Sequence, residues 1–455
     1  MENNLKKKYG LSTAIAMVVG IVIGSGVFFK AEAVLKATGG SIPIGIIAWA
    51  VVGLIMIICS YSFSIMATRY EKVNGVVDYS EVMMGSKYGY YVGWFMATIY
   101  YPTITSVLAW VSARYTCVLL GWDITGGSCM TIACLYMIGS YAVNALSPVL
   151  AGRFQVSTTV IKLIPLLLMA IVGTIVGLTN GMTVANFTHV VDNSLSTGSG
   201  LYASIVAVAF AYEGWIIATS INAELKDSKK NLPKALVFGS IIVVAVYILY
   251  YIGLAGAVST ETLMESGEAG AKTAFQTIFG NVGGSLIFVF VIISCLGTLN
   301  GLMLGCTRGF YTLAVRGRGP SPKTFSQVDK ATNMPTNSSV LGLFFVVLWL
   351  FYFYGAIILQ IGGENPWFGK FCFDSSELPI VTLYALYIPM FIMMMKKEKD
   401  LNPIKRFVMP ALSVLSCVFM VYAACIAHKT TVLYYLVIFL IIMLIGAFFS
   451  KKRAL

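Results

Sequence analysis

Three groups of residues in this chain place chemistry where an apolar run would ordinarily continue. The first is Gly24-Ser25-Gly26, inside the membrane-length stretch LSTAIAMVVGIVIGSGVFFK (11–30). Glycines lower local helix propensity by about 1 kcal/mol each, and backbone released from helical bonding at membrane depth persists only where it lines a cavity or meets a ligand. The N–H groups that restart such a helix form a concavity at a positive dipole end, which suits a carboxylate without any arginine. Ser25 and Gly26 are expected to supply it. Gly20 and Gly24 also make a GxxxG face, so close helix packing competes as an explanation.

The second group is Glu213-Gly214, in the middle of YASIVAVAFAYEGWIIATSIN (202–222). An ionisable group at that depth is costly and marks a functional path by default. The third is Lys162, nine residues beyond Arg153, which puts it about 13 Å along a helix and too deep for easy snorkelling. It reads equally as a partner-satisfied structural lysine, a fixed charge, or a group that changes protonation, and the sequence does not separate these.

The elements that must carry these residues follow from composition. With 58% hydrophobic and 11% charged residues and a mean hydropathy of +0.84, this 455-residue chain is too apolar for a soluble globular protein. It reads as an all-α polytopic membrane protein. Stretches of about 20 apolar residues fall near 11–37, 41–68, 89–120, 129–147, 155–178, 201–223, 234–257, 277–313, 338–359, 376–395, 406–427 and 431–450, predicting twelve transmembrane helices. The net charge of +12 is gathered in alternate loops: Lys6-Lys7-Lys8, Arg69 and Lys72, Arg153, Lys226 to Lys234, Arg316 to Lys323, Lys396 to Arg406, and Lys451-Lys452-Arg453. That face is expected to be cytoplasmic, with both termini on it. The charge then reports orientation and attraction to anionic lipid, and calls for no nucleic acid. The basic start runs straight into a span, so no cleavable signal peptide is expected.

The nine cysteines show no CxxC spacing and read as small buried apolar residues, although Cys117 and Cys129 flank one outer loop where a disulfide is conceivable. His189 and His428 fall in outer loops and predict no metal site. No nucleotide motif appears, so ATP-driven transport has no support, and neither a cofactor nor a metal is expected. Spans one and six are the two interrupted helices. Five spans separate their starts, so the second five-helix unit runs inverted relative to the first, and broken helices at matching positions of an inverted repeat point to a secondary transporter's binding site.

Four blocks then make the chain similar to a known family. They are VVGIVIGSGVFF (18–29), FAYEGW with ELKDSKKNLPKA (210–215 and 224–235), NALSPVLAGRFQVSTTVIKL (144–163), and SCLGTLNGLMLGCTRGFYTLAVRGRGP (294–320). They resemble the amino acid/polyamine/organocation superfamily, and within it the L-type amino acid transporter group. The resemblance implies the LeuT-type five-plus-five inverted-repeat fold, with broken helices one and six and with spans eleven and twelve outside the repeat. Segment bounds follow: 1–10 cytoplasmic, 11–178 first repeat, 179–200 extracellular loop, 201–395 second repeat, 396–450 the last two spans, and 451–455 cytoplasmic. It also implies that the Val22 and Phe210 carbonyls accept from a substrate ammonium, with Phe210 a gate over the substrate. The substrate-binding set is thus Val22, Ile23, Gly24, Ser25, Gly26, Phe210, Ala211, Tyr212, Glu213 and Gly214. Lys162 falls where sodium-driven relatives bind a cation, and is the expected coupling residue.

Glu213 departs from the family, which usually carries Gly, Ala or Ser there. It would fill the distal pocket, pair with a cationic side chain or titrate, or cap a neighbouring helix, and motif position does not choose among them. The expected function is sodium-independent exchange of small neutral L-amino acids such as alanine, serine, cysteine and threonine. Proton symport, cationic amino acid or polyamine exchange, and amino acid sensing are the alternatives. The outer loop Gly121 to Gly127 contains no cysteine, so no obligatory glycoprotein heavy chain is expected; a monomer in the lipid bilayer is the working expectation.

Overall fold

The computed structural model describes residues 10–70, 75–192, 198–218 and 225–452. Lys6-Lys7-Lys8, Lys72 and Arg453, and with them parts of the 1–10, 179–200 and 451–455 segments, lie outside the described residues. All regular elements among those described are helical. Ten helices are long and apolar enough to cross a bilayer: Ile42–Arg69, Ser86–Leu120, Gly127–Leu146, Leu150–Thr179, Ser228–Ala257, Ala269–Ala314, Thr336–Ile361, Leu378–Lys397, Ile404–His428 and Thr431–Phe448.

The segments of the two remaining sequence-predicted spans form shorter, interrupted helices. α1 (Leu11–Val22) stops, and α2 (Gly26–Ala37) resumes after the three residues Ile23, Gly24 and Ser25. The Gly198–Tyr212 helix stops at Glu213-Gly214, and Trp215–Ala218 resumes it. A 12-residue half-helix covers about 18 Å, short of a hydrocarbon core about 30 Å thick, so neither half of the first pair spans alone.

These helices form because their backbone groups must bond internally in an apolar medium, and their side chains are apolar on nearly every face. α3 (Ile42–Arg69) buries Trp49 and Phe63 but leaves Leu54 more than half exposed. The Thr431–Phe448 helix likewise turns Leu440, Leu444 and Phe448 outward, a surface suited to acyl chains rather than water. The span expected near 277–313 is preceded by a separate helical segment: the Glu268–Ala314 stretch is two helices that meet at a kink at Gly280. Gly280 sits at φ 73°, ψ 169°, a conformation that only glycine adopts cheaply.

The described chain divides into two compact units. One contains residues 1–89, 163–284 and 381–427, and so holds both interrupted helices. Its centre is aromatic: the rings of Trp49, Tyr212 and Tyr247 pack within 5.1–5.7 Å of one another. Small residues let its backbones approach closely. A Cβ on Gly253 would overlap the Met169 carbonyl, and one on Gly177 would overlap Gly256, which is how membrane helices gain packing where no hydrophobic effect drives them together. The other unit contains residues 90–162, 285–380 and 428–455. Tyr90, Trp94, Phe310 and Leu313 form its inner cluster. The Tyr90 hydroxyl donates to the Gly446 carbonyl at 2.7 Å and the Trp94 indole to Ile442 at 2.9 Å. Tyr90 and Trp94 are therefore packing residues, whereas Trp122 is half exposed.

Candidate functional site

The first interruption is a short stretch of non-helical backbone. Ile23 closes α1 in an extended conformation at φ −66°, ψ 111°, and Ser25 leads into α2. Val22, Ile23 and Ser25 are buried. The first N–H groups of α2 have no acceptor within their own helix. Beside them lies the Ser25 hydroxyl, fully buried and without a hydrogen-bond partner among the described residues. Leaving a buried hydroxyl unbonded costs about 1–3 kcal/mol. A cluster of unclaimed donors at a positive helix end is an anion-binding arrangement.

Gly26 faces the second interruption. A Cβ there would overlap the backbone Cα of Ala211, so this glycine lets the restart of α2 lie directly against the end of the Gly198–Tyr212 helix. The packing expected of Gly20 and Gly24 thus has a counterpart at Gly26, while its neighbour Ser25 presents an unused polar atom.

At the second interruption the turn is made by Gly214, at φ 103°, a value that strains any residue with a Cβ. The Glu213 amide reaches back to the Phe210 carbonyl at 3.4 Å, a long bond that leaves this carbonyl accepting capacity. Phe210 and Tyr212 are buried, whereas Glu213 and Gly214 are half-buried. Glu213 lies close enough to Tyr384 and Tyr387 to act electrostatically on both hydroxyls, in a nest where the rings of Phe63, Trp215 and Tyr387 meet at 4.8–5.9 Å.

Sequence reasoning missed two residues that organise this region. Tyr247 is fully buried, and its one hydroxyl proton is shared between the Val22 carbonyl at 3.2 Å and the Ala211 carbonyl at 3.1 Å. It joins the carbonyl ends of both broken helices. Val22, expected to offer its carbonyl to a substrate ammonium, therefore already has one donor. Nothing in the local sequence marks Tyr247, a tyrosine among apolar neighbours. The other is Lys30, one turn beyond Gly26 and 3% exposed. Its ammonium lies 5.0 Å from the Phe29 ring centre and 5.4 Å from that of Phe210, within cation–π range. A lysine ending an apolar run was a signal that could have found it.

In the other unit, Lys162 follows the Pro148–Ile161 helix at a turn, with its amide bonded to Thr158 at 3.0 Å and its side chain 1% exposed. Thr158 fills the space over Gly297, where a Cβ would collide with it. A polar clamp ties these two helices to Gly127–Leu146: the Asn144 amide donates to the Asn300 side-chain oxygen at 2.9 Å, and Asn300 donates to the Ala151 carbonyl at 3.2 Å. Arg114 is buried, with its guanidinium 4.6 Å over the Trp110 ring. All nine cysteines are free, Cys117 and Cys129 included. Among the described residues no group of three or more His, Cys, Asp or Glu side chains could hold a metal ion.

Known proteins share this arrangement of sequence. Residues 9–448 match the model of the amino acid permease family. The serine/threonine exchanger SteT of Bacillus subtilis is 32% identical over 334 residues, covering 73% of this chain and 74% of SteT. The human b(0,+)-type amino acid transporter 1 is 28% identical over 453 residues, 96% of this chain and 86% of that protein. The human cystine/glutamate transporter is 25% identical over 73% of this chain, and the match spans 66% of its own length. A family match across nearly the whole chain agrees with a helical chain in which ten of the described helices are long and apolar enough to cross a membrane. The chain belongs to the amino acid permease family and is a multi-pass membrane transporter of amino acids, not an enzyme.

Proposed function

We propose that this protein exchanges small neutral L-amino acids across the cytoplasmic membrane, independently of sodium, by alternating access. The observation that carries the reading is the buried, unbonded Ser25 hydroxyl at the start of α2. There the substrate α-carboxylate would take the first N–H groups of α2 and the Ser25 hydroxyl. The ammonium would take the carbonyl ends of α1 and of the Gly198–Tyr212 helix, at Val22, Phe210 and Ala211. Ile23, Gly24, Gly26, Tyr212, Glu213 and Gly214 complete the walls. Backbone thereby reads the zwitterion, and side chains read the substituent. The name of SteT, a serine/threonine exchanger, favours small hydroxylated or aliphatic substrates.

The same reading takes the two interrupted pairs as spans one and six of a twelve-span, five-plus-five inverted repeat with the proposed segment bounds. The basic loops and both termini would be cytoplasmic. Lys162 would act as a fixed charge in place of a sodium ion, and the chain would work without a glycoprotein partner. Uptake of labelled serine into proteoliposomes without sodium tests it. Uptake that requires unlabelled amino acid inside supports exchange. Uptake into empty vesicles that grows with an inward proton gradient would make the protein a symporter instead.

A further inference from the structure

Outside the interrupted helices, the same unit carries a polar cavity of about 440 Å³. Its walls are the end of α3, the start of the Ser228–Ala257 helix, and the Leu401–Lys405 segment that leads into the Ile404–His428 helix. That volume lies within the roughly 300–1,000 Å³ of small-ligand clefts. Three basic side chains enter it, Arg69, Lys229 and Lys405, one from each wall.

Among the described residues, the charges that line it and bond to its walls leave two lysines over. Arg69 is committed: its guanidinium forms a two-pronged bond with Asp400, both contacts at 2.8 Å, and its Nε meets Glu398 at 2.5 Å. The Tyr70 hydroxyl holds the other Glu398 oxygen at 2.6 Å. Lys229 and Lys405 have no ion pair among the described residues and are exposed on the cavity side. Two uncommitted ammonium groups therefore remain over a floor shaped by a spent arginine network, with the Thr68 and Ser64 hydroxyls beside them.

What surrounds the cavity selects the class of anion. Beyond the cavity wall, Ile404 and Phe407, which flank Lys405 in sequence, are each about half exposed or more. They start a helix long and apolar enough to cross a membrane, as is the helix that carries Lys229. Basic pockets between membrane helices, flanked by apolar surface at the basic face, are suited to a lipid phosphate above and its acyl chains below. We infer that this cavity is a binding site for the headgroup of an anionic phospholipid of the inner leaflet, held by Lys229 and Lys405. The site rests on membrane insertion and on the basic face being cytoplasmic. It does not depend on which amino acid the protein carries.

The test uses the full chain purified in neutral detergent, with phosphatidylglycerol, phosphatidylcholine and inorganic phosphate as the three probes. Phosphatidylglycerol should remain bound in native mass spectrometry and raise the apparent unfolding temperature, while phosphatidylcholine and millimolar phosphate do neither. The double variant Lys229→Gln/Lys405→Gln should weaken phosphatidylglycerol binding by about tenfold or more, as expected for two cationic contacts at a membrane surface. Should that variant fail to fold, Lys405→Gln alone, on the exposed loop side, should give a smaller loss in the same direction. Equal binding of phosphatidylglycerol and phosphatidylcholine would overturn the proposal. So would double-variant binding like that of the parent protein, and a shift reproduced by inorganic phosphate alone would reassign the cavity to a soluble anion.

Discussion

The two interruptions look alike in sequence, a glycine-containing break in an apolar run, but they present opposite polarity. At the first, α2 begins with unclaimed donors and a buried serine hydroxyl. At the second, the Gly198–Tyr212 helix ends in carbonyls, and a carboxylate, Glu213, follows at once. The first break offers donors at the start of α2 beside the Val22 carbonyl, the second carbonyls and a carboxylate. Gly26 against Ala211 sets the two breaks side by side, and the proposed zwitterion site rests on that pairing. The conformational solutions differ as well. The first break needs no left-handed residue, whereas the second turns on Gly214 at φ 103°.

The largest perturbation of that pairing is Gly26→Ala. The added methyl meets the Ala211 backbone rather than the substrate, so the variant should lose about 1–3 kcal/mol of stability and nearly all exchange. Thermal unfolding and counterflow on the same preparation check it; normal stability with lost exchange would return Gly26 to the substrate site. Next is Gly214→Ala, expected to cost about 1–2 kcal/mol through backbone strain alone and to lower turnover. An unchanged unfolding temperature would show that the second break relaxes freely.

Two hydroxyl deletions then sharpen the contrast. Tyr247→Phe should cost about 1 kcal/mol of stability even without substrate, because that hydroxyl already bonds both breaks. Ser25→Ala should leave stability intact yet weaken serine binding about threefold to tenfold, since its hydroxyl is waiting for a partner. Equal behaviour of the two variants would erase the distinction between a structural hydroxyl and a ligand-seeking one.

The smallest effect lies at the basic face. The Arg69 guanidinium holds the Asp400 carboxyl below its ordinary range. A carboxylate depressed in the folded state stabilises above its unfolded pKa of about 4 and loses that contribution as pH falls through the folded value. Unfolding temperature should therefore drop more steeply below about pH 4 in the parent than in Asp400→Asn, and parallel curves would show this exposed pair to be inert.

Much of this was legible in the residues themselves. Gly24-Ser25-Gly26 and Glu213-Gly214 advertise breaks because glycine and a charge are out of place in a membrane run, and the breaks occur there. Tyr247 was not legible, since a tyrosine's partner depends on a helix 225 residues away in sequence. Lys30 was overlooked because it looks like the end of a span until Phe210 is placed beneath its ammonium. The Gly280 kink was hidden inside an apolar stretch that composition reads as continuous.

By itself, then, the sequence determined the membrane class, the family, ten of the helical spans and the location of both interruptions, because bilayer insertion acts on local composition and leaves backbone no alternative to the helix. Tertiary structure alone decided which glycine packs and which neighbouring hydroxyl stays free. It also decided that one tyrosine ties two broken helices together and that Lys229 and Lys405 share a cavity. Those outcomes depend on which distant surfaces meet, and a one-dimensional pattern carries no record of that.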